Sequence, residues 1–187
     1  MKRYIGQTDV PLSANGKLQA EYWEKKLASL SFSHVYSSDL ARALYTAQIV
    51  SGLPRQKIIV SEKLREINLG SWDGKSVSEI RAHYPKEWEK RGEDLAHYKV
   101  GSGESFFELQ KRVLPYFEEI VRNKNDILIV THAGVIRVIL ATVMGMPLQD
   151  IFSITQGYGA LNTLQFREGK FAVMSTNVLP GPGAAKG

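Results

Sequence analysis

The sequence predicts an α/β fold in which helices cover both faces of a mostly parallel sheet. Short apolar segments with the composition of buried strands alternate with segments whose apolar residues recur at helical spacing. The clearest case is residues 127–130 (Ile-Leu-Ile-Val), because a helical pattern begins directly after the following Thr-His-Ala-Gly. Strands that alternate with helices are typical of parallel sheets, so we expect a three-layer α/β/α architecture.

The individual elements follow from the same patterns. The first is a helix over residues 13–30, in which Ser13 is a candidate N-cap. The others, in chain order, are a strand near residues 34–36, a helix over 37–50, a strand over 57–60, a loop over 64–74, a short helix over 76–84, a long helix over 104–122 kinked by Pro115, a strand over 127–130, a helix over 134–144 and a hairpin over 160–175.

Length and composition suit one domain. With 187 residues, of which 43% are hydrophobic, we expect a single domain over residues 1–178, with a lid at about 75–103. Residues 179–187 contain no core-forming pattern and are expected to be disordered. The chain has no cysteine, which excludes disulfides, thiolate metal sites and cysteine nucleophiles.

Charge and hydropathy limit the classes of partner that we expect the protein to bind. The formal net charge is +5, but the basic residues are dispersed and do not interleave with aromatics, so we expect no nucleic acid. The charge is equally consistent with a site for a small phosphorylated metabolite and with no specific partner. No apolar stretch is long enough to span a membrane, and no signal peptide pattern opens the chain. We therefore expect a cytoplasmic protein with no membrane partner.

His132 is the first candidate site residue. It lies where a predicted parallel strand ends and a helix begins, and helix N-termini at such junctions bind phosphate. The small residues Ala133 and Gly134 let a ligand approach the backbone amides. A protonated ring donates to a phosphate oxygen, whereas a neutral ring shuttles a proton, and the sequence leaves both open. A buried core histidine is the structural alternative.

Arg42 and Glu66 are the next candidates. A cation in the first turn of a helix opposes the helix dipole, so Arg42 suggests an anion nearby, and guanidinium binds phosphate bidentately. Glu66 lies in a loop shaped by Gly70, Trp72 and Gly74. Partial burial there would raise its pKa and make it a general acid, unless Arg65 pairs with it. Both residues also have a plain alternative as exposed charges.

The segment from Tyr4 to Ser13 leads into the first helix, and Gly6 and Gln7 are expected to line the mouth of the site. Its alternative is a loop that only caps the helix. The sequence contains none of the Walker, dinucleotide-binding, HExxH or EF-hand patterns. We accordingly expect no cofactor and no metal.

Five segments, taken together, resemble the histidine phosphatase superfamily of phosphoglycerate-mutase-like proteins. They occur in the family's order over nearly the whole chain: residues 4–13 (YIGQTDVPLS), 37–47 (SSDLARALYTA), 64–74 (LREINLGSWDG), 103–105 (GES) and 130–137 (VTHAGVIR). Within the family they look most like the small α-ribazole-phosphate phosphatases of the cobalamin pathway. The short lid differs from that of the larger glycolytic mutases.

The resemblance implies a phosphatase mechanism without a cofactor. A nucleophilic histidine is phosphorylated and water then hydrolyses the phosphohistidine. By position, His132 matches the histidine that stabilises the transferring group, and Arg42 matches the arginine that clamps its oxygens. Glu66 matches the acid that protonates the leaving alcohol and later activates water.

One family feature is missing from the printed sequence. The family opens with a strand ending in Arg-His-Gly, which supplies the nucleophile, and none of the four histidines here lies in that motif. We therefore expect a fold that lacks the usual first strand, with two neighbouring strands left unpaired. An incomplete N-terminus is the favoured explanation, since the other motifs are intact. A misassigned start, a partial chain, a strand from a partner and a natural remnant stay open.

The sequence leaves three candidate functions open. The first is a phosphomonoesterase acting through phosphohistidine, with α-ribazole 5'-phosphate as a candidate substrate. The second is a catalytically dead module that binds a phosphate ligand, and the third is a phosphoglycerate mutase. Trp88, His97 and Tyr98 are candidate lid contacts to the substrate. An unpaired sheet edge also favours a homodimer or strand exchange.

Overall fold

The computed structural model describes residues 3–122, 126–167 and 169–181. Its α-helices within these ranges are α1 (Ala14–Leu27), α2 (Ala41–Ser51), α3 (Val77–His83), α4 (Pro85–Glu93), α5 (Phe106–Val121) and α6 (Ala133–Met144). Its strands are β1 (His34–Ser37), β2 (Ile59–Val60), β3 (Ile127–Val130), β4 (Leu161–Arg167) and β5 (Lys170–Val178). The predicted α/β class is confirmed.

The central sheet is parallel, with strand order β2-β1-β3. Alternate residues of its strands point to opposite faces. Val35 and Leu128 pack with Leu44 and Ala47 of α2, whereas Tyr36 packs on the other face with Ile120 of α5. Helices therefore cover both faces, which confirms the predicted three-layer arrangement.

The remaining strands form a separate antiparallel hairpin, β4-β5. Among the described residues, β3 pairs only with β1 and β4 only with β5. Ile129 of β3 and Leu164 of β4 nevertheless pack against the same core cluster, which includes Val138 of α6. Both strands thus have an edge without a strand partner in the described part of the chain, as expected for a fold that lacks a central strand.

Local signals explain where the helices begin and end. α3 and α5 each start with a capping box, formed by Ser76 with Glu79 and by Ser105 with Glu108. α6 ends at Gly145, whose φ of 66° is a left-handed conformation that glycine adopts without strain. The capping boxes fix the start of α3, which lies within residues 75–103, and the start of α5, whose buried face contributes to the core.

The observed bounds of one strand differ from those that the sequence predicts. The strand expected over residues 57–60 is reduced to Ile59–Val60, because Arg55–Lys57 form a 3-10 turn.

At the C-terminus Pro180 is buried, while residues 182–187 lie outside the described ranges, so the disordered tail stays a prediction there. Residues 75–103 contain α3 and α4, which contact each other, and their role as a lid stays a prediction. In the described part of the chain, no helix is long and apolar enough to cross a membrane.

Candidate active site

His132 forms the junction between β3 and α6. It is the N-cap of α6, with extended backbone angles (φ −120°, ψ 163°), and only 7% of its surface is exposed. Its Nε2 is buried and has no hydrogen-bond partner among the described residues. A buried polar atom without a partner is rare in proteins and requires an explanation, such as a catalytic role or a bound water or ion.

The environment keeps this imidazole neutral. Burial, followed by the positive charge of Arg42, lowers the pKa of His132 from 6.5 to about 3. Asp39 acts in the opposite direction but more weakly. Of the two protonation states that the sequence left open, the neutral ring is therefore the one present at physiological pH before a ligand binds.

Glu66 reaches the same helix terminus from the loop that follows β2. Its Oε1 and Oε2 accept hydrogen bonds from the amide of Gly134, at 3.0 and 3.1 Å, and Oε1 also accepts from the amide of Ile67 at 2.9 Å. A Cβ atom on residue 134 would collide with Oε1. Gly134 is thus required for the close approach of the carboxyl group to α6.

The carboxyl end of Glu66 is enclosed, although the residue as a whole is only half-buried. Burial raises the pKa of Glu66, and the amides of Ile67 and Gly134 and the guanidinium of Arg42 offset part of that rise. The predicted competition from Arg65 does not occur, because Arg65 pairs with Asp39 instead. A carboxyl group with a raised pKa is suited to donate a proton.

Arg42 lies in the first turn of α2 and links that helix to the N-terminal segment. Nη1 donates to the carbonyl of Thr8 at 2.9 Å, and Nη2 donates to the carbonyl of Gly6 at 2.8 Å. It has no carboxylate ion pair among the described residues. Burial lowers its pKa. The helix start is instead capped by Asp9, whose Oδ1 accepts from the amide of Ala41 at 2.8 Å.

Gly6 and Gln7 are held beside the site by Asp73. Gly6 has a φ of 52°, and a side chain there would collide with the carboxylate of Asp73. The amide of Gln7 donates to Asp73 Oδ2 at 3.0 Å, and its Nε2 donates to the carbonyl of Glu66 at 3.0 Å. Gln7 therefore anchors the backbone of Glu66, and its place at the mouth of the site stays a prediction.

A half-buried arginine of α5 holds the loop that carries Glu66. Arg112 of α5 pairs with Glu104, through Nε to Oε1 at 2.7 Å and Nη2 to Oε2 at 2.8 Å. The same guanidinium donates to backbone carbonyls along the loop, those of Glu62, Lys63, Arg65 and Glu66, at 2.9–3.3 Å. Thr131 adds a further tie, since its hydroxyl donates to the carbonyl of Leu64 at 2.8 Å.

The structure brings the predicted residues together. The charge of Arg42 acts on both Glu66 and His132. Gly6 and Gln7 bond to Arg42 and Glu66, and Ala133 directly follows His132 at the start of α6. The other histidines lie elsewhere. His34 stacks on Tyr36, and His83 and His97 are exposed and bond to residues of their own segments.

Residues that the sequence did not single out complete the surroundings. Asp73, Arg112, Asp39 and Arg137 act on the site, Arg137 through its charge on Glu66. Their partners are distant in the sequence, so periodicity and spacing give no signal for them. No group of three or more potential metal ligands occurs among the described residues.

The fold and the site together are those of an enzyme that handles phosphate esters. The family described as the histidine phosphatase superfamily (branch 1) matches residues 1–179, and the chain belongs to this superfamily. It shares the phosphoglycerate-mutase-like fold of that family.

Several named relatives are phosphatases, and others are described as probable phosphoglycerate mutases. A glucosyl-3-phosphoglycerate phosphatase from Mycolicibacterium vanbaalenii is 31% identical over 175 residues, covering 87% of this chain and 76% of that protein. The crystal structure of the α-ribazole phosphatase from Shigella flexneri superposes with a TM-score of 0.84 at 25% identity, covering 94% of this chain and 88% of that one.

The match to a larger relative is partial. A 6-phosphofructo-2-kinase/fructose-2,6-bisphosphatase from Arabidopsis thaliana is 31% identical over 147 residues, which is 76% of this chain but 19% of that protein. The chain thus spans about a fifth of the length of that relative. These matches support a phosphatase activity for the chain.

Proposed function

We propose that this chain carries most of the active site of a phosphomonoesterase that acts on a small phosphorylated metabolite through a phosphohistidine intermediate. The observation that carries the proposal is the buried Nε2 of His132, which has no partner among the described residues and lies at the N-terminus of α6. A phosphoryl oxygen placed there meets this nitrogen and the positive end of the helix dipole.

In this proposal the phosphate is held by neutral hydrogen-bond donors and by nearby positive charge. The imidazole of His132, with its proton on Nε2, donates to a phosphoryl oxygen. The amide of Ala133 has no hydrogen bond within the described residues and is available to a second oxygen, whereas that of Gly134 is taken by Glu66. Arg42 contributes positive charge and positions Gly6 at the mouth of the site.

Glu66 acts as the acid and then as the base. In the first step a histidine nitrogen attacks phosphorus, the bond from phosphorus to the ester oxygen breaks, and the leaving alcohol takes the proton of the Glu66 carboxyl group. In the second step the Glu66 carboxylate accepts a proton from water as that water attacks phosphorus. The phosphorus–nitrogen bond then breaks and inorganic phosphate leaves.

The nucleophile in this proposal comes from an Arg-His-Gly strand that the printed sequence does not contain. The edge of β3 without a strand partner is its expected place, because His132 directly follows that strand. A strand added there would run beside His132 and fill the position between β3 and the β4-β5 hairpin.

The test is phosphoenzyme formation in a variant that carries an added N-terminal strand ending in Arg-His-Gly. We expect an acid-labile, base-stable phosphoprotein during turnover of an aryl phosphate. A matched variant ending in Arg-Ala-Gly should form none, and His132→Ala in the restored protein should slow its formation. A folded restored protein that hydrolyses no phosphomonoester would contradict the proposal.

The substrate is proposed from the family members that the chain matches. α-Ribazole 5'-phosphate is the first choice, given the similarity to the Shigella flexneri α-ribazole phosphatase. A comparison of kcat/KM for α-ribazole 5'-phosphate and phosphoserine in the restored protein tests it, and a preference for phosphoserine would reject it. The phosphoglycerate mutase alternative is tested with 3-phosphoglycerate, which a mutase isomerises and a phosphatase dephosphorylates.

A second candidate function is a catalytically dead phosphate-binding or interaction module. The observation in its favour is that His34, His83 and His97 all lie away from the site, which leaves no second histidine to be phosphorylated. It predicts that inorganic phosphate or vanadate raises the Tm of the printed chain without any hydrolysis. Loss of that stabilisation in Arg42→Ala is required. A cytoplasmic location and a homodimer stay predictions.

A further inference from the structure

Asp39 and His132 occupy equivalent positions at the carboxyl ends of two neighbouring parallel strands. Ser37 of β1 is in register with Val130 of β3, and the amide of Ser38 donates to the carbonyl of Val130 at 3.1 Å. Asp39 and His132 each come two residues after this registered pair. Because parallel sheets bind their ligands at the carboxyl ends of the strands, an acidic residue lies beside the proposed phosphate site.

A carboxylate at this position opposes the binding of an anion. Only 24% of the Asp39 side chain is exposed, so its charge is less screened than it would be in bulk water. Burial and the charges of Arg42 and Arg112 lower the pKa of His132, whereas the charge of Asp39 raises it. Phosphate bound at His132 would therefore meet a like charge unless that of Asp39 is compensated.

Arg65 supplies a compensating charge. Its Nε donates to both carboxylate oxygens of Asp39, at 2.8 and 3.0 Å, and its Nη2 donates to Oδ2. A bidentate contact of this kind fixes the geometry of both side chains. Arg65 directly precedes Glu66, and its carbonyl accepts from Arg112 at 3.1 Å. The ion pair thus connects the end of β1 to the loop that carries Glu66.

We propose that Arg65 is a positioning residue of the phosphate site, whose role is to neutralise Asp39 so that an anion can bind at His132. The inference rests on the proposed phosphate site. Arg65 acts through Asp39 rather than by contact with the phosphate, because the carboxylate occupies its Nε and Nη2. This role does not depend on the alcohol part of the ester, so it applies to any phosphomonoester, including α-ribazole 5'-phosphate.

The alternative role of the ion pair is mechanical. A link between β1 and the Glu66 loop is broken whichever of the two partners is removed, and the site would be disturbed in both cases. The electrostatic role predicts effects of opposite sign, because the removal of Asp39 removes the repulsion together with the link. The affinity of the Asp39→Asn variant for phosphate therefore distinguishes the two roles.

The test is calorimetric titration of the printed chain and its variants with inorganic phosphate at low ionic strength. Arg65→Met leaves the Asp39 carboxylate uncompensated, so we expect the dissociation constant to rise about 10-fold or more. Asp39→Asn should bind phosphate as tightly as the wild type or more tightly. The double variant Asp39→Asn/Arg65→Met should return to within about 3-fold of the wild-type affinity.

Two further variants make the result specific. Glu62 contacts the same guanidinium, 3.3 Å from Nη2, but 75% of its side chain is exposed, so solvent screens its charge. Glu62→Gln should therefore leave the phosphate affinity unchanged. Arg65→Lys keeps the positive charge beside Asp39 and should bind phosphate more tightly than Arg65→Met.

The outcomes separate this inference from the proposed function. If the wild type binds no phosphate, the phosphate site is wrong and the role of Arg65 is wrong with it. If the wild type and Arg65→Met bind phosphate equally, only the role of Arg65 is overturned. A double variant as weak as Arg65→Met would show a mechanical link or direct contact with phosphate, which also contradicts the inference. If Arg65→Met does not fold, Asp39→Asn decides, since weaker binding in that variant contradicts the electrostatic role.

Discussion

The amide of Gly134 donates to both carboxylate oxygens of Glu66, at 3.0 and 3.1 Å. This contact joins the loop after β2 to the N-terminus of α6, two segments that are 68 residues apart in the sequence. It places a carboxyl group beside His132 and consumes one of the first helix amides. The geometry of the candidate site depends on it.

Gly134→Ala should therefore damage both stability and the site. The new methyl group would collide with Glu66 Oε1, and overpacking of this kind costs about 1–3 kcal/mol in the free energy of unfolding. Urea denaturation measures it. Gly92→Ala is the control, because it lies in α4 with open space around it and should be neutral or stabilise by about 0.4–1 kcal/mol. Equal effects of the two changes would contradict the contact.

His132 should remain neutral across the physiological range. Its pKa is about 3, mainly because of burial, so its ring nitrogens should titrate near that pH in an NMR experiment. The unfolded state takes up the proton below about pH 6.5, and the folded state does not until about pH 3. A titration midpoint close to 6.5 would show that the ring is solvated and would reject this description.

The lowered pKa of His132 also makes the free energy of unfolding depend on pH. Its contribution to the free energy of unfolding is fully present above pH 6.5 and is lost at up to about 1.4 kcal/mol per pH unit as the pH falls toward about 3. The unfolding free energies of the wild type and of His132→Asn are measured as a function of pH. The carboxylates contribute to both proteins, so the difference between the two curves reports the contribution of His132. A difference that stays constant over this range would contradict the prediction.

Arg112 should be essential for the loop that carries Glu66. Arg112→Met leaves Glu104 without its cationic partner and removes the donor to the loop carbonyls, so we expect a loss of about 2–4 kcal/mol in the free energy of unfolding. Lys99→Met removes a half-exposed ion pair with Glu108 and should cost only about 0.2–1 kcal/mol. Chemical denaturation of both variants checks the contrast, and a small loss in Arg112→Met would show that the loop is held by other contacts.

Glu66→Gln tests the proton donor in the protein with the restored Arg-His-Gly strand. Protonation of the leaving group matters most when that group is a poor one, so kcat for an alkyl phosphate should fall about 10²–10⁴-fold. The fall for p-nitrophenyl phosphate should be much smaller. Glu62→Gln, in the same loop but exposed, should change neither rate. An equal loss for both substrates in Glu66→Gln would assign Glu66 a structural role.

The sequence predicts the fold well where local patterns are strong. The strand over residues 127–130 and the helix after it were expected from an apolar run followed by small residues, and both are observed. The strand over 57–60 was overestimated, because the 3-10 turn at Arg55–Lys57 depends on contacts that an apolar run does not reveal. Pro180 is buried, which composition also does not show.

The site is predicted only in part. Arg42, Glu66 and His132 are in the segments that resemble the family, and the structure brings them together. Gln7 and Arg112 both donate to the backbone carbonyl of Glu66, and each lies tens of residues away from it in the sequence, so local patterns do not predict these contacts. The fully neutral state of His132 could not be predicted either, because its pKa is set by the depth of burial and by Arg42.

The most direct test of the central claim is titration of the printed chain with inorganic phosphate, observed at the ring nitrogens of His132 by NMR. We expect saturable shifts of the His132 signals, a rise in the pKa of His132 on binding because phosphate is an anion beside the ring, and no such response in Arg42→Ala. If phosphate leaves the His132 signals unchanged, His132 is a buried core histidine and the candidate site is not a phosphate site.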